Sequence, residues 1–540
     1  MKIFSFAALL LASPATAISV YQLKADTQTL SSDAFEGREP GSAGEVKTVD
    51  YIAKRMAAIG LKPGNDGGWT QDVPMVTITT TPTPLNFSGG KAAIALAYGP
   101  DAVVWTKRQI AQQKLANSEL VFVGHGINAP ERGWNDYAGV DVRGKTVVIL
   151  VNDPDWQAMT SGKDAGPFEG RAQTYYGRYS YKFEEAARQG AAAALVIHQE
   201  APAAWPYNVV LSSWTGPQID LDAKDKGMGR VGVEGWLHHD AATKLLASAG
   251  LDLAKLEVAA KKPGFKAIDT GLKASATLNN TIANSASRNV LGVIKGSKRP
   301  DEIVVYTAHW DHLGRCTPDA RGDDICNGAV DNASGIAGLL ALADDFAKGP
   351  APERSVLFLA VTAEEAGLLG SEYYAANPVY PLAKTVGGVN MDSLNVIGAM
   401  EGVTITGAGK SELEAMAARL AKAQGRTVRP EASPENGGYF RSDHFSFAKR
   451  GVPMLAAGSG GEVIGKPAGF AAATRSDYLA KRYHQPSDEY SDGWDWSGAV
   501  QDLKLYHNLG VELANAKSWP GWLPDSEFKA VRDASMKAAK

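Results

Sequence analysis

Acidic and imidazole side chains cluster at four points in the C-terminal half of the chain. Two of these points, TAHWDHLG at 307–314 and VTAEEAGLLGS at 361–371, place such side chains directly after apolar stretches that we predict to be buried strands. Carboxylate oxygens and imidazole nitrogens are ligands that suit a divalent ion such as zinc. The candidate metal-site residues are His309, Asp311, Asp331, Glu364, Glu365 and Asp392.

Strand-type and helix-type segments alternate from about residue 280 to the C-terminus. Such alternation predicts an α/β fold with a mostly parallel mixed sheet and helices on both of its faces. Ligands in these folds collect at the carboxyl ends of the strands, so we expect the candidate residues to converge in one cleft. The predicted strands are 302–308, 355–362, 386–391, 403–406 and 452–457, and the predicted helices are 334–347, 411–423 and 500–516.

The N-terminal half divides into two regions of different character. Residues 42–59 carry apolar residues at helical spacing, and Gly60 should end that helix. Residues from about 88 to 275 contain short β-type runs separated by turn residues, with one clear helix at 182–189. We therefore predict an N-terminal part of the main domain at 18–87, an inserted β-rich domain at 88–275 and the remainder of the main domain at 276–540.

The first 17 residues predict a cleaved signal peptide. Met1 and Lys2 precede an apolar run at 3–12, which is too short for a permanent membrane span, and an Ala-x-Ala site follows at 15–17. We therefore expect a periplasmic or secreted protein. The formal net charge is −4, so nucleic acid and anionic membranes are not expected partners, and no obligate protein partner is implied.

The chain contains only two cysteines, Cys316 and Cys326, and both lie between the His309 and Asp331 motifs. In an exported chain we favour a disulfide that closes this loop. The alternatives are two free thiols or two zinc ligands.

The motifs occur in an order that resembles the M28 family of zinc aminopeptidases and carboxypeptidases. The resemblance covers most of the mature chain apart from the insert, and it also includes LSSDAFEGREPGSAGE at 30–45 and SDHFSFAKRGVP at 442–453. The five motifs that carry it are AHWDHLG at 308–314, GAVDNASG at 328–335, TAEEAGLLGS at 362–371, NMDS at 390–393 and YHQPSDE at 483–489.

The resemblance implies a site with two zinc ions. One ion would be held by His309, Asp331 and Asp392, and the other by Asp331, Glu365 and His484, so that Asp331 bridges them. The resemblance also implies a cis peptide bond after Asp331.

The same resemblance assigns two further roles. Glu364 would be the general base that takes a proton from the attacking water and returns it to the leaving amine. Asp311 would accept a hydrogen bond from the His309 imidazole and fix its tautomer. His312 and His444 belong to the same motifs and would support the site indirectly.

The implied activity is that of an exported dizinc exopeptidase, and we favour an aminopeptidase that removes N-terminal residues from peptides with a hydroxide held between the ions. The motif segments contain acids and no Arg or Lys, which suits a substrate ammonium group better than a carboxylate. The alternatives are a carboxypeptidase of the same family, a glutaminyl-cyclase-like cyclotransferase with one zinc, and a non-catalytic receptor-like module.

Two features remain open at this level. The insert resembles a protease-associated domain at 121–154 and 182–198, where it could form a lid, a substrate-selecting wall or a spacer. Tyr439 and Arg441 precede the SDH motif and could stabilise an oxyanion, or they could be ordinary surface residues. Arg441 is also the candidate carboxylate-binding residue for the carboxypeptidase alternative.

Overall fold

A computed structural model describes residues 18–538. The predicted signal peptide at 1–17 lies outside the described residues. The strands are β1 Lys62–Pro63, β2 Thr70–Pro82, β3 Leu85–Ser88, β4 Ile94–Leu96, β5 Ala102–Trp105, β6 Gln112–Phe122, β7 Asn128–Ala129, β8 Trp134–Asn135, β9 Thr146–Leu150, β10 Ala193–His198, β11 Pro217–Leu221, β12 Val233–His238, β13 Ile268–Ile294, β14 Arg299–His309, β15 Gly314–Arg315, β16 Ile325–Cys326, β17 Arg354–Val361, β18 Thr385–Asn390, β19 Met400–Ile405, β20 Thr427–Arg429 and β21 Met454–Val463.

The helices account for the predicted helical segments and add several others. They are α1 Val20–Leu30, α2 Ala43–Ile59, α3 Tyr179–Arg188, α4 Glu200–Ala203, α5 Asn208–Trp214, α6 His239–Ser248, α7 Leu253–Ala260, α8 Gly335–Lys348, α9 Leu369–Ala376, α10 Leu413–Ala423, α11 His444–Ala448, α12 Phe470–Lys481, α13 Ser497–Asn515 and α14 Lys529–Ala538.

The C-terminal unit is an α/β fold built on a mixed sheet whose central strands are parallel. Strand β14 lies between β17 and β18 and is parallel to both, and β21 is parallel to β18. Antiparallel pairs flank this centre, with β13 against β17 and β19 against β21. The prediction of a mostly parallel mixed sheet is therefore confirmed.

Helices cover both faces of this sheet because side chains alternate along its strands. Tyr306 and Ala308 of β14 point into a core formed with α1, α2, α8, α10 and α13. Val305 of the same strand points into a second core, which includes Tyr374 of α9 and Phe447 of α11. Two apolar layers on opposite faces hold the central strands in place, and these strands carry the candidate site.

Helix α2 begins and terminates at the residues that the sequence predicts. The Ser42 hydroxyl accepts a hydrogen bond from the backbone N–H of Glu45 at its start. Gly60 closes the helix with φ of 98°, a conformation that glycine adopts at little cost.

The strands of the β-rich region pair around β9 and β10, and β13 joins them to the C-terminal unit in one continuous sheet. Strand β9 is parallel to β6 and β10, β10 is parallel to β12, and β12 pairs antiparallel with β5. Separate apolar cores lie on the two sides of this sheet. The domain limits at 87/88 and 275/276 stay a prediction.

One long strand, β13, passes through the predicted boundary at 275/276 without a break. Its first part pairs with β6 of the β-rich region, its middle part with β2, and its last residues with β17 and β1. Strands β2 and β13 pair over 70–82 and 278–290. This two-stranded ribbon carries the chain into the insert and back out.

The loop between the His309 and Asp331 motifs is closed by a disulfide, as predicted. Cys316 and Cys326 are bonded, and their Cα atoms are 5.9 Å apart. Within residues 18–538, no helix combines the length and the apolar character needed to cross a membrane.

Candidate metal centre

The ends of three neighbouring parallel strands bring the predicted site residues together. His309 is the last residue of β14, Glu364 follows β17 by three residues, and Asp392 follows β18 by two. Because β17, β14 and β18 are adjacent and parallel, their carboxyl ends lie side by side. Asp331 comes from the irregular turn before α8, which contains a cis bond from Asp331 to Asn332, and His484 follows α12.

Asp331 lies between two histidines and directs one carboxylate oxygen to each. Its Oδ1 is 3.3 Å from His309 Nε2, and its Oδ2 is 3.4 Å from His484 Nε2. His309 Nε2 is also 3.4 Å from Asp392 Oδ1, while His484 Nε2 is 3.1 Å from Glu365 Oε2. These contacts join the same residues that the two predicted ligand sets contain, with Asp331 common to both.

His312 is closer to this centre than the sequence indicated. Its Nδ1 lies 2.6 Å from Glu365 Oε1, and its ring centroid is 5.6 Å from that of His484. Ligand-type atoms of His312, Asp331 and Glu365 fall within 4.8 Å of one another, as do those of a second group formed by His309, Glu364 and Asp392. The partition of ligands between two ions stays a prediction.

Several buried polar atoms of this centre have no hydrogen-bonding partner among the described residues. They are both ring nitrogens of His312, Nε2 of His484 and Oε1 of Glu365. These atoms approach one another without the alignment of a hydrogen bond. Buried polar atoms are costly without partners, and imidazole nitrogen and carboxylate oxygen are the donor types that zinc prefers. The residues therefore fit a zinc centre.

The acidic residues also control the charge of His309. Burial disfavours the imidazolium form, but the carboxylates of Glu364, Asp311, Asp331 and Asp392 outweigh burial and raise its pKa well above the ordinary value. A protonated histidine here compensates an excess of negative charge. A divalent cation would compensate the same charge.

Neighbouring carboxylates also raise the pKa of the second histidine, His484. Burial lowers the pKa of His484, but contacts with Asp331 and Glu365 raise it overall to about 9. Burial acts to raise the pKa of Glu365, as does Asp331, yet the contacts with His312 and His484 lower it overall to about 2. Glu365 is therefore held as a carboxylate.

The pKa of Glu364 is shifted in the opposite direction from that of Glu365. Burial raises its pKa well above the ordinary value, Asp392, Asp443 and Glu365 act in the same direction, and His309 opposes them. Asp443 is itself fully buried, and burial raises its pKa to about 7. Glu364 therefore has a stronger affinity for a proton than a carboxylate in water.

Asp311 supports the site in a different way from the one expected. Its Oδ1 accepts a hydrogen bond from the Glu364 backbone N–H at 3.1 Å, and its Oδ2 accepts from the Glu365 N–H at 3.3 Å. The nearest acceptor for His309 Nδ1 is the Asp311 backbone carbonyl at 3.2 Å, whereas Oδ1 is 3.7 Å away. Because a carbonyl can only accept, Nδ1 carries the proton, and His309 Nε2 faces Asp331 and Asp392. The Asp311 carboxylate thus fixes the Glu364–Glu365 turn, and its control of the His309 tautomer stays a prediction.

Arg38 is a supporting residue to which the sequence analysis gave no role. It is buried and donates hydrogen bonds to the backbone carbonyls of Leu30, Trp310, Asn327 and Gly328 at 2.6–2.9 Å. Burial lowers its pKa to about 10. The arginine ties the segment after His309 to the segment before Asp331. The sequence signal that could have indicated its role is its position inside the motif at 30–45.

Asp488 is the second supporting residue without a predicted role. Its carboxylate accepts hydrogen bonds from the backbone N–H groups of Val330 and Asp331 at 3.1–3.2 Å, and from the Tyr478 hydroxyl at 3.2 Å. It therefore fixes the backbone that presents Asp331. The motif YHQPSDE contains this residue, but the spacing alone does not distinguish it from a solvated acid.

The two residues proposed for oxyanion stabilisation lie in different environments. Tyr439 is buried, and its hydroxyl donates to the Met454 backbone carbonyl at 3.4 Å. The oxyanion interpretation is therefore wrong for Tyr439, because the hydroxyl points into the protein. Arg441 is exposed.

Comparison with known proteins gives a family match for the segment that contains the site. Residues 289–506 match the model described as Peptidase family M28. A probable zinc metalloprotease of Pyricularia oryzae is 32% identical over 145 residues, which is 25% of this chain and 28% of that protein. Aminopeptidase NAALADL1 of Mus musculus is 33% identical over 139 residues, 24% of this chain and 17% of that protein. The chain thus matches less than a third of the length of each of these two relatives.

Two solved structures are similar over most of the chain at low identity. An aminopeptidase from Aneurinibacillus sp. strain AM-1 has a TM-score of 0.46 and 19% identity, with 92% of this chain and 94% of that chain covered. A zinc aminopeptidase from Bacillus subtilis has a TM-score of 0.42 and 18% identity, with 93% and 96% covered. The segment that matches the family model, residues 289–506, contains the site residues from His309 to His484.

Proposed function

We propose that this protein is an exported dizinc exopeptidase that removes N-terminal residues from peptides. The observation that carries the proposal is the position of Asp331, which directs one oxygen to His309 and the other to His484 beside the carboxylates of Glu365 and Asp392. The family match and the relatives described as a zinc metalloprotease and an aminopeptidase support it.

The residues that would hold zinc are His309, Asp331, Glu365, Asp392 and His484. When bound, the ions would polarise the scissile carbonyl and lower the pKa of the attacking water.

Glu364 has the proton-transfer role. It stands next to the ligand Glu365, and Asp311 fixes its backbone. Its raised pKa favours uptake of a proton from water and return of that proton to the leaving amine.

The charges of the cleft favour a substrate with a free N-terminus. Glu364, Asp392 and Asp443 lie close enough to influence one another's protonation, and all are acids. An α-ammonium group is attracted to such a cluster, whereas a carboxylate is repelled. Peptides with a free N-terminus are therefore the proposed substrates.

We also propose that residues 1–17 are a cleaved leader and that residues 88–275 form a protease-associated domain beside the catalytic unit. The Cys316–Cys326 disulfide supports export, because disulfides persist in oxidising compartments. N-terminal sequencing of the mature protein should begin near Ile18.

The function is tested with purified protein on aminoacyl anilides, free dipeptides and their N-acetylated forms, with and without a chelator. We expect cleavage only of substrates with a free N-terminus, loss of activity with the chelator and recovery with added zinc. Cleavage of N-blocked dipeptides alone would instead identify a carboxypeptidase. Metal analysis should give two zinc ions per chain; one would favour the cyclotransferase, and none the receptor-like module.

A further inference from the structure

A cavity of about 60 Å³ lies within the insert, at the carboxyl ends of three parallel strands. Strand β9 is parallel to both β6 and β10. His125 follows β6 by three residues, Leu150 ends β9, and Gln199 directly follows β10. Ligands of parallel sheets collect at this edge, so the cavity lies where the strands of the insert predict a binding site. The other lining residues are Trp156, Gln157, Glu257 and Lys261.

The GHG sequence at 124–126 fixes the ring of His125 in the wall of this cavity. Gly124 and Gly126 have φ of 59° and 62°, a conformation that glycine adopts at little cost. The His125 Nδ1 lies 2.9 Å from the backbone carbonyl oxygen of Asn152. Because a carbonyl can only accept, Nδ1 carries the proton, and the lone pair of the neutral ring is on Nε2.

The Nε2 atom of His125 is a buried acceptor without a donor. It has no hydrogen-bonding partner among the described residues, and the whole side chain is buried. Burial lowers the pKa of this histidine to about 3, so the ring is neutral at physiological pH. A buried polar atom without a partner is costly, and a ligand that donates a hydrogen bond to Nε2 would remove that cost.

The cavity offers one side chain of each charge. Glu257 Oε1 accepts a hydrogen bond from Gln199 Nε2 at 2.8 Å. Lys261 Nζ donates to the side-chain oxygen of Gln157 and lies 6.0 Å from the centre of the Trp156 ring. A cation is repelled by the ammonium group and an anion by the carboxylate, whereas a neutral ligand with both donors and acceptors suits the pair.

A metal ion is a poor fit for the cavity. Within residues 18–538, the groups of three or more His, Cys, Asp and Glu side chains close enough to hold an ion are the two at the candidate metal centre. His125 and Glu257 are the imidazole and carboxylate in the lining, and two such ligands are fewer than zinc usually takes from a protein.

We propose that this cavity binds neighbouring hydroxyl groups of a sugar, with the sugar ring packed on Trp156. A hydroxyl both donates and accepts, so one can donate to His125 Nε2 while the next donates to Glu257 and accepts from Lys261. The cavity has room for a few groups the size of a water molecule, which suits hydroxyls better than a whole ring. The half-buried indole of Trp156 supplies an apolar face for the C–H groups of that ring.

Binding is measured by saturation-transfer NMR and calorimetry on the mature protein with methyl glucoside, methyl galactoside, methyl mannoside and N-acetylglucosamine. We expect at least one to bind with a Kd of about 1 mM. An oligosaccharide of that sugar that binds tenfold more tightly identifies a glycan chain as the source, and an equal Kd identifies the free sugar. Absence of binding by all four sugars, or binding of methylammonium or inorganic phosphate in their place, would overturn the proposal.

Variants at the rim of the cavity test where the sugar binds. Trp156→Ala and Glu257→Gln should each raise the Kd at least tenfold, whereas Trp156→Phe keeps an aromatic face and should stay within threefold of the wild type. Glu200→Gln is the control, because Glu200 is exposed on α4 and is not part of the lining. An unchanged Kd in both Trp156→Ala and Glu257→Gln, or an equal rise in the control, contradicts this site.

The acceptor itself is observed by NMR of protein with nitrogen-15 histidine. The unprotonated Nε2 of His125 should move upfield when a sugar hydroxyl donates to it, and loss of the signal in His125→Gln assigns it. A signal that does not move at saturation with a bound sugar would exclude His125 from the site. These readouts do not depend on peptidase activity, so failure to cleave aminoacyl anilides would defeat the proposed function and leave the sugar site standing.

Discussion

At the scale of single residues, two adjacent carboxylates are given opposite properties by their surroundings. Burial and neighbouring acids raise the pKa of Glu364, whereas contacts with His312 and His484 lower that of Glu365 to about 2. Pairs of titratable groups whose environments push their pKa values apart commonly divide the work of a site. The one suited to proton transfer is Glu364, and the one suited to binding a cation is Glu365.

Glu364→Gln should therefore reduce kcat by roughly 10²–10⁴-fold while the metal content stays unchanged, because only the proton acceptor is lost. Glu365→Gln should release metal instead. Steady-state kinetics and metal analysis of both proteins check this difference. Near wild-type kcat in Glu364→Gln would exclude it as the base.

Asp488 is not among the proposed zinc ligands, but it holds the backbone that presents one of them, Asp331. Asp488→Asn removes part of the acceptor that fixes the backbone of Val330 and Asp331. We expect zinc affinity to fall about 10–100-fold, the usual effect of losing such support. Chelator competition measures it. Glu489→Gln is the control, since this neighbour is exposed and its ion-pair partner within residues 18–538 is Arg321. An equal loss in both variants would show that Asp488 has no particular role.

At the scale of elements, the strands and helices with a regular apolar pattern could be predicted from the sequence. Buried strands such as β17 are continuous apolar runs, and residues at their carboxyl ends converge because the strands are parallel. The pattern could not predict Arg38, whose partners are backbone carbonyls far along the chain. Nor could it predict that Tyr439 is buried, because the aromatic cluster around this residue includes Trp522 and Phe528 from the C-terminal segment.

Strand β6 leads to a buried histidine that should make the insert sensitive to acid. His125 is 1% exposed, its Nδ1 donates to the Asn152 carbonyl at 2.9 Å, and burial lowers its pKa to about 3. The unfolded chain binds a proton below about pH 6.5 and the folded chain does not, so stability falls as pH falls through this window.

Between pH 7 and pH 5 this histidine should remove about 2 kcal/mol from the free energy of unfolding. His125→Gln has no such proton site and can still donate to the Asn152 carbonyl. Urea unfolding of both proteins at the two pH values gives the comparison. An identical loss in the variant would show that His125 does not cause the acid sensitivity.

At the scale of the whole molecule, several contacts fix the insert to the catalytic unit, among them an ion pair between Arg171 and Glu435 at 2.7 Å. The β2–β13 ribbon is one connection. Another is Tyr175, whose ring lies 5.2 Å from Phe445 and 6.1 Å from Phe528 between centroids. An ion pair between Glu184 and Lys449 at 3.0 Å lies beside it. An insert held by several contacts suits a fixed wall better than a swinging lid.

Tyr175→Ala should therefore loosen the insert. We expect a loss of about 3 kcal/mol from removal of the packed ring, and a separate unfolding transition of the insert in calorimetry. Tyr175→Phe keeps the ring and loses only the hydroxyl contact with Glu184, so it should unfold in one transition like the wild type. A single transition in Tyr175→Ala would mean that the remaining contacts couple the two units without this ring.

The continuous strand β13 also sets the order in which the protein can fold during its synthesis. Thr80 of β2 and its partner Asn280 are 200 residues apart, and β1 must likewise wait for Val293. At translation rates of about 5–20 residues per second, this delay is roughly 10–40 s. The insert emerges completely within that time, so we expect it to fold on the ribosome first and to present β13 as the template on which the catalytic sheet is then assembled.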